Sequence, residues 1–129
     1  MIDDGRALFL QIAESVEDQI VDGSLAEESR APSTNELAAF HRINPATAAK
    51  GISMLVDKGV LYKQRGIGMF VSPGARRQLL AERRTAFADR FVEPLLAEAR
   101  TLGLGPDDLT DLIRERAAAA ARSPERTAR

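Results

Sequence analysis

The sequence predicts a mainly α-helical protein with one small β-hairpin, and three stretches carry that prediction. In PSTNELA, Ser33 precedes Glu36 by three residues. That is the spacing of a capping box, in which hydroxyl and carboxylate each accept a backbone N–H at a helix start. Asn44-Pro45 offers a second start eleven residues on, with Asn as N-cap and Pro pre-set for the first helical position. VLYKQRGIGMFVS then reads as two short strands around a glycine-containing turn. Helices bridged by about four residues, His41 to Asn44, make a helix-turn-helix. With the helix before them and the hairpin after, the order is that of a winged helix.

Each element has a local reason. The first helix is expected over Ala7 to Asp22, where Leu8, Ile12, Val16 and Ile20 form one apolar stripe with Phe9 and Ala13 beside it. Gly23 is suited to end it. In the loop GSLAEESRAPS, Arg30-Ala31 is a candidate for a very short strand. The second helix covers Thr34 to Phe40 and buries Leu37 and Ala38, with Phe40 a candidate for the same face. The third runs from Pro45 to Lys58 and stops at Gly59. Its core face is Ala48, Ile52, Leu55 and Val56, at i, i+4, i+7 and i+8. The strands are expected at Val60–Gln64 and Met69–Ser72, around Arg65-Gly66-Ile67-Gly68.

The totals exclude several classes of function. Apolar and charged residues make up 44% and 29% of the 129 residues, as in a soluble globular protein. No apolar run approaches the roughly 18 residues of a membrane span, and no signal peptide is read ahead of Leu8. There is no cysteine, so neither a disulfide nor a thiolate metal site is expected. The single histidine, His41, lacks co-ligands and is read as a turn residue. No nucleophile–base pair or carboxylate dyad stands out, and RGIG is not a phosphate-binding loop. The expectation is a cytoplasmic protein that is not an enzyme, with no cofactor and no membrane contact.

The net charge of −1 hides an uneven distribution. Residues 30–65 hold six basic side chains against two acids, while the first 29 residues hold one arginine against eight acids. Positive charge thus gathers at the helix-turn-helix, which permits phosphate binding but fits ordinary solvated surface too. The face of the third helix opposite its core carries Ala46, Thr47, Lys50 and Ser53, small and polar as a groove-seated helix requires. Those residues alone fit a DNA reader and a plain surface helix equally. The hairpin adds Arg65 beside Gly66, a cation and a bare backbone able to approach a phosphate or a minor groove.

After Ser72-Pro73-Gly74 a long helical stretch is expected, with an apolar seam of Leu80, Phe87, Phe91, Leu95 and Leu102. Leu104-Gly105-Pro106 interrupts it, and a last helix follows from Asp107 to Ala121 with the seam Leu109, Leu112 and Ile113. Two such helices cannot bury both seams alone, so the expected partner is the same pair from a second copy. The alternative is that they fold back on their own winged helix. Pro94 should kink or break the longer helix near Arg90, or else start a new one after Glu93. The expected organisation is a winged helix over 1–73, a dimerisation segment over 74–121 and a disordered tail over 122–129.

The stretch Phe9 to Val71 resembles the N-terminal winged helix of the GntR family of bacterial transcription regulators. The resemblance is carried by LQIAESVEDQIVDGSL, APSTNELA, INPATAAKGISMLVDKGVLY and RGIGMFV, in that order. INPATA and the short second half are similar to the YtrA-type subfamily, whose members dimerise through a short helical segment. The resemblance implies DNA contacts at Arg30 and Ser33, at Asn44, Thr47 and Lys50, and at Lys63, Arg65 and Gly66. It also marks departures. Asn35 stands where the family usually has arginine, removing a fork able to hold phosphate or guanine. Pro45 and Ala46 stand where many members have Arg-Thr, Ala31 replaces the usual leucine, and Glu28 a usual loop glycine. Asn35 and Ala46 are therefore kept among the candidate DNA-contacting positions. The function that the resemblance implies is that of a homodimeric repressor on a pseudo-palindromic double-stranded DNA operator. A small-molecule effector, if one exists, would act through the angle between the two heads. The rival is a winged helix whose wing docks a protein, which the net acidity, Asn35 and Glu28 favour.

Overall fold

The computed structural model describes residues 7–122 and resolves them into two compact units that part between Arg83 and Arg84. The tail expected at 122–129 lies, apart from Arg122, outside the described residues.

In the first unit, α1 (Leu8–Asp22) buries Ile12, Val16 and Ile20 and ends on Gly23, whose positive φ of 89° a side chain would resist. Helix α2 (Thr34–His41) opens on the predicted capping box. Ser33 Oγ accepts the Glu36 N–H at 3.0 Å, and Glu36 Oε1 accepts the Ser33 N–H at 2.8 Å. The turn to α3 (Pro45–Asp57) is one residue shorter than expected, because His41 completes α2. Arg42 makes the corner in the left-handed region (φ 57°) and donates its N–H to Ala38. On α3, Asn44 Oδ1 accepts the Ala46 N–H at 2.8 Å, the predicted N-cap.

Strands β1 (Leu61–Gln64) and β2 (Gly68–Val71) pair antiparallel, Leu61 opposite Val71 and Gln64 opposite Gly68. The expected strand at Arg30-Ala31 is a single bridge, Arg30 to Phe70, extended by bonds from Ala31 N–H to Met69 O and from Glu28 N–H to Val71 O, both 2.8 Å. Side chains of α1, α2, α3 and both strands close one core around Ile12, Ile52, Leu55, Leu61 and Val71. Two positions depart from expectation. Phe40 is 80% exposed, because Leu37 and Ala38 already occupy the inward arc of this short helix. Val56 is only half-buried, and the fourth buried position on α3 is Gly51.

Helix α4 (Ala75–Phe87) joins this core through Ala75 and Leu79. Its N-terminus is capped from afar: Glu27 accepts from the Gly74 N–H at 3.0 Å and the Arg76 N–H at 3.2 Å. These two amides hold the Glu27 carboxyl below its usual range. At the far end of α3, Lys58 Nζ lies 2.6 Å from Glu17 and 2.8 Å from Glu82, and Gln78 donates to the Lys58 carbonyl at 3.2 Å. The recognition-type helix is thereby tied to α1 and α4.

The second unit holds the end of α4, a π-helical turn (Ala88–Val92), α5 (Glu93–Thr101) and α6 (Pro106–Ala121). Pro94 acts as expected near Arg90, but by widening the helix rather than ending it. Lacking an N–H, Pro94 cannot bond to the Arg90 carbonyl, and Glu93 donates to Ala88, five residues back. Gly103 (φ 75°) turns the chain, and Asp108 Oδ2 accepts the Gly105 N–H at 2.8 Å to open α6. Of the seam residues expected to face a partner, Leu109 is instead buried within its own chain. Leu80, Phe87, Phe91, Leu95, Leu102, Leu112 and Ile113 are exposed.

Candidate nucleic-acid interface

The candidate residues of the first unit fall into three groups. At the start of α2, the Ser33 hydroxyl oxygen accepts the Glu36 N–H as the cap. Asn35 is exposed one position beyond Thr34. Glu36 accepts from the Ser33 backbone and then from its side chain, with Arg30 nearby, and these hold its carboxyl below the ordinary range. A carboxylate therefore sits in the first turn of α2, matched to the helix dipole but adverse to a phosphate placed directly on it.

On α3, Ala46, Lys50 and Ser53 are exposed, as the sequence suggests; Thr47 is half-buried and sits at the edge of that face. Asn44 spends its carbonyl oxygen on the cap and keeps its NH2 group as a donor. The Lys50 ammonium lies 4.0 Å from the centroid of the Phe9 ring, which brings α1 into the site. That approach depends on Gly51: a Cβ there would stand 2.9 Å from the Phe9 carbonyl oxygen.

On the wing, Lys63, Arg65 and Gly66 are exposed. Gly66 and Gly68 both take positive φ, and the bare Gly68 leaves room for Arg30, whose Nε would be 3.0 Å from a Cβ at that position. The guanidinium of Arg30 thus lies against Gly68 at the turn end of the wing, joining two groups that are 38 positions apart in sequence. Opposite it, Tyr62 donates its hydroxyl hydrogen to Glu28 at 2.8 Å. Glu28 has φ 68°, the conformation in which a glycine would be at ease, and its carboxylate is occupied by Tyr62.

Two residues escape sequence reasoning here. Phe9 reads as core but is only half-buried and holds Lys50. Ile67, 54% exposed, puts an apolar side chain at the wing tip; its one sequence signal is an isoleucine between two glycines in a turn. The residues assembled can grip an anionic polymer through cations, hydroxyl and helix-start donors, while the small face of α3 can approach a groove. Among the described residues no group of three or more His, Asp or Glu could hold a metal ion, and no helix is long and apolar enough to cross a membrane.

Residues 8–71 match the bacterial regulatory proteins of the gntR family. The chain is 33% identical over 84 residues to YurK of Bacillus subtilis, an uncharacterized HTH-type transcriptional regulator, covering 63% of this chain and 35% of YurK. It therefore spans about a third of that relative's length. It is 25% identical over 108 residues to the HTH-type transcriptional repressor YtrA of Bacillus subtilis, covering 84% of this chain and 82% of YtrA. A crystal structure of a GntR-family protein from Bacteroides thetaiotaomicron superposes with a TM-score of 0.72 at 31% identity, covering 88% of this chain and 98% of that one.

Proposed function

The chain belongs to the GntR family of bacterial regulatory proteins, and from that premise we propose that it is a sequence-specific DNA-binding repressor that acts as a homodimer. The family is one of regulators, not of enzymes. The observation that carries the reading is the pair of capped helices α2 and α3, with the small, cationic face of α3 exposed beside a wing tipped by Arg65 and Gly66. Helix α3 would enter a major groove, its Ala46, Thr47 and Ser53 near base edges, with Asn44 and Lys50 at its ends and flank. Arg30 and Ser33 would take phosphates at one side, and Lys63, Arg65 and Gly66 the backbone or minor groove at the other. Asn35 offers hydrogen bonds without charge.

With so few side chains able to read bases, affinity leans on phosphates and DNA shape and falls steeply with salt. The span 74–121 supplies the dimer through the exposed seam Leu80, Phe87, Phe91, Leu95, Leu102, Leu112 and Ile113. Two-fold symmetry then calls for a pseudo-palindromic operator with half-site centres about 34 Å apart or a multiple of it. The protein would work in the cytoplasm, where operator DNA is, and YtrA, a named repressor, supports repression by promoter occupancy. An effector would bias the angle between heads.

The test is selection of duplexes from a randomised pool by the purified full-length protein, then titration of the selected and a scrambled duplex at two salt concentrations. Enrichment of an inverted repeat, bound by two protomers with a steep salt dependence, is expected. No enriched sequence, with equal weak retention of both duplexes, would overturn the proposal and turn attention to a protein-docking role for the wing.

A further inference from the structure

Lys50 lies on the exposed face of α3, yet its ammonium is drawn to the flank of the helix by the Phe9 ring, 4.0 Å from the centroid. The arrangement is built by close packing. Gly51 carries no side chain, and a Cβ there would meet the Phe9 carbonyl oxygen at 2.9 Å and Ile12 Cγ2 at 3.3 Å. The first turn of α1 therefore lies tight against α3 just where Lys50 emerges. At 100° per residue, Ala46 lies at the middle of the exposed face with Ser53 and Lys50 on either side of it, Lys50 on the side of Thr47 and α1.

We propose that Phe9 is a positioning residue that fixes the Lys50 ammonium for a DNA backbone phosphate at the groove edge, leaving base contact on α3 to Ala46, Thr47 and Ser53. The inference rests on the DNA-binding reading above. An ammonium has three N–H donors; the ring attracts the charge through its π face and leaves donors directed outward. It is a point charge without the planar fork that reads guanine, so it suits a phosphate. Holding it over the ring also removes in advance part of the ordering cost of a four-carbon stem. On this account Lys50 sets affinity and register, and α1 takes part in DNA binding without touching the bases.

The experiment compares wild type, Lys50→Ala, Phe9→Leu, Phe9→Tyr and the Lys50→Ala, Phe9→Leu double variant. Each is titrated at two salt concentrations on the selected operator, on its single base-pair variants and on a scrambled duplex. Lys50→Ala should weaken selected and scrambled duplexes by a similar factor, leave the ranking of base-pair variants intact, and lower the log–log salt slope by about one per protomer. Phe9→Leu should weaken binding about two- to fivefold with the slope unchanged. It should add nothing when Lys50 is already alanine, and Phe9→Tyr, which returns a ring, should restore affinity. A merely structural effect of Phe9→Leu would persist in the Lys50→Ala background, and that outcome overturns the proposal. So does tighter binding by Phe9→Leu, which would mean that Lys50 must leave the ring to bind, or a Lys50→Ala protein with altered base preference. If wild type itself selects no sequence, the DNA-binding reading fails first, and this one with it.

Discussion

Between Leu8 and Arg83 the chain folds most of its large aliphatic side chains inward: Ile12, Ile20, Leu55, Leu61 and Leu79 are all within 1% of full burial. Between Arg84 and Arg122 the proportions reverse, with only Ala99 and Leu109 buried and Phe87, Phe91, Leu95, Leu102, Leu112 and Ile113 in contact with solvent. Leucine and alanine are frequent in both regions, so their supply alone does not explain the contrast. Geometry does. Three helices and a hairpin enclose a common centre, while a π-turned helix and α6 have only one flank each to offer the other. The first unit is complete as one chain; the second has the surface of a half-built bundle, which the proposed second copy would cover.

The largest expected effect lies inside the closed core. Leu55→Ala should destabilise the first unit by about 2–5 kcal/mol. Gly51→Ala should cost about 1–3 kcal/mol by pressing a methyl group on the Phe9 backbone. Both would be read as lowered denaturant midpoints. Equal tolerance of Gly51→Ala would show that α1 and α3 are not held at this distance. The open seam should respond differently. Phe91→Asp with Leu112→Asp should leave the helix content of one chain nearly unchanged and shift sedimentation from dimer to monomer. If the variant stays dimeric, the seam is not the interface.

Smaller effects separate the caps. The carboxyls of Glu27 and Glu36 are held below the usual range by backbone N–H groups. Their contribution is therefore present above the unfolded value of 4.5 and is lost as pH falls through the folded values. Glu27→Gln should lower stability at neutral pH and flatten the acid limb of a stability–pH curve. An unchanged acid limb would remove Glu27 as the cap of α4. Its neighbour should behave oppositely: Glu28→Gly relieves a left-handed backbone at the loss of an exposed bond from Tyr62, and should raise the melting temperature by the equivalent of less than about 1 kcal/mol. A fall instead would mean that the Tyr62 bond outweighs the strain.

How much of the structure is legible in the sequence depends on the range of each interaction. The Ser33–Glu36 box and the Asn44 cap were legible because both partners lie within three residues. The hairpin was legible because its glycines fall where positive φ is required, and Pro94 announced a disturbed helix by its missing N–H. Contacts across the fold left no local mark. Lys50 meets Phe9 from 41 residues away, and Glu27 caps α4 from 47. The apolar pattern also overreached at single positions. It cannot tell that Phe40 falls outside the inward arc of an eight-residue helix, or that Leu109 closes on its own chain while Leu112 does not.

The contrast between a finished unit and an unfinished one is tested most directly by comparing a full selected operator with a single half-site, for wild type and for the Phe91→Asp, Leu112→Asp variant, at one salt concentration. Wild type is expected to prefer the full operator strongly, while the variant binds both duplexes alike, at the half-site level of wild type. A variant that keeps the full-operator preference would contradict this expectation, for then two heads would be joined without the seam.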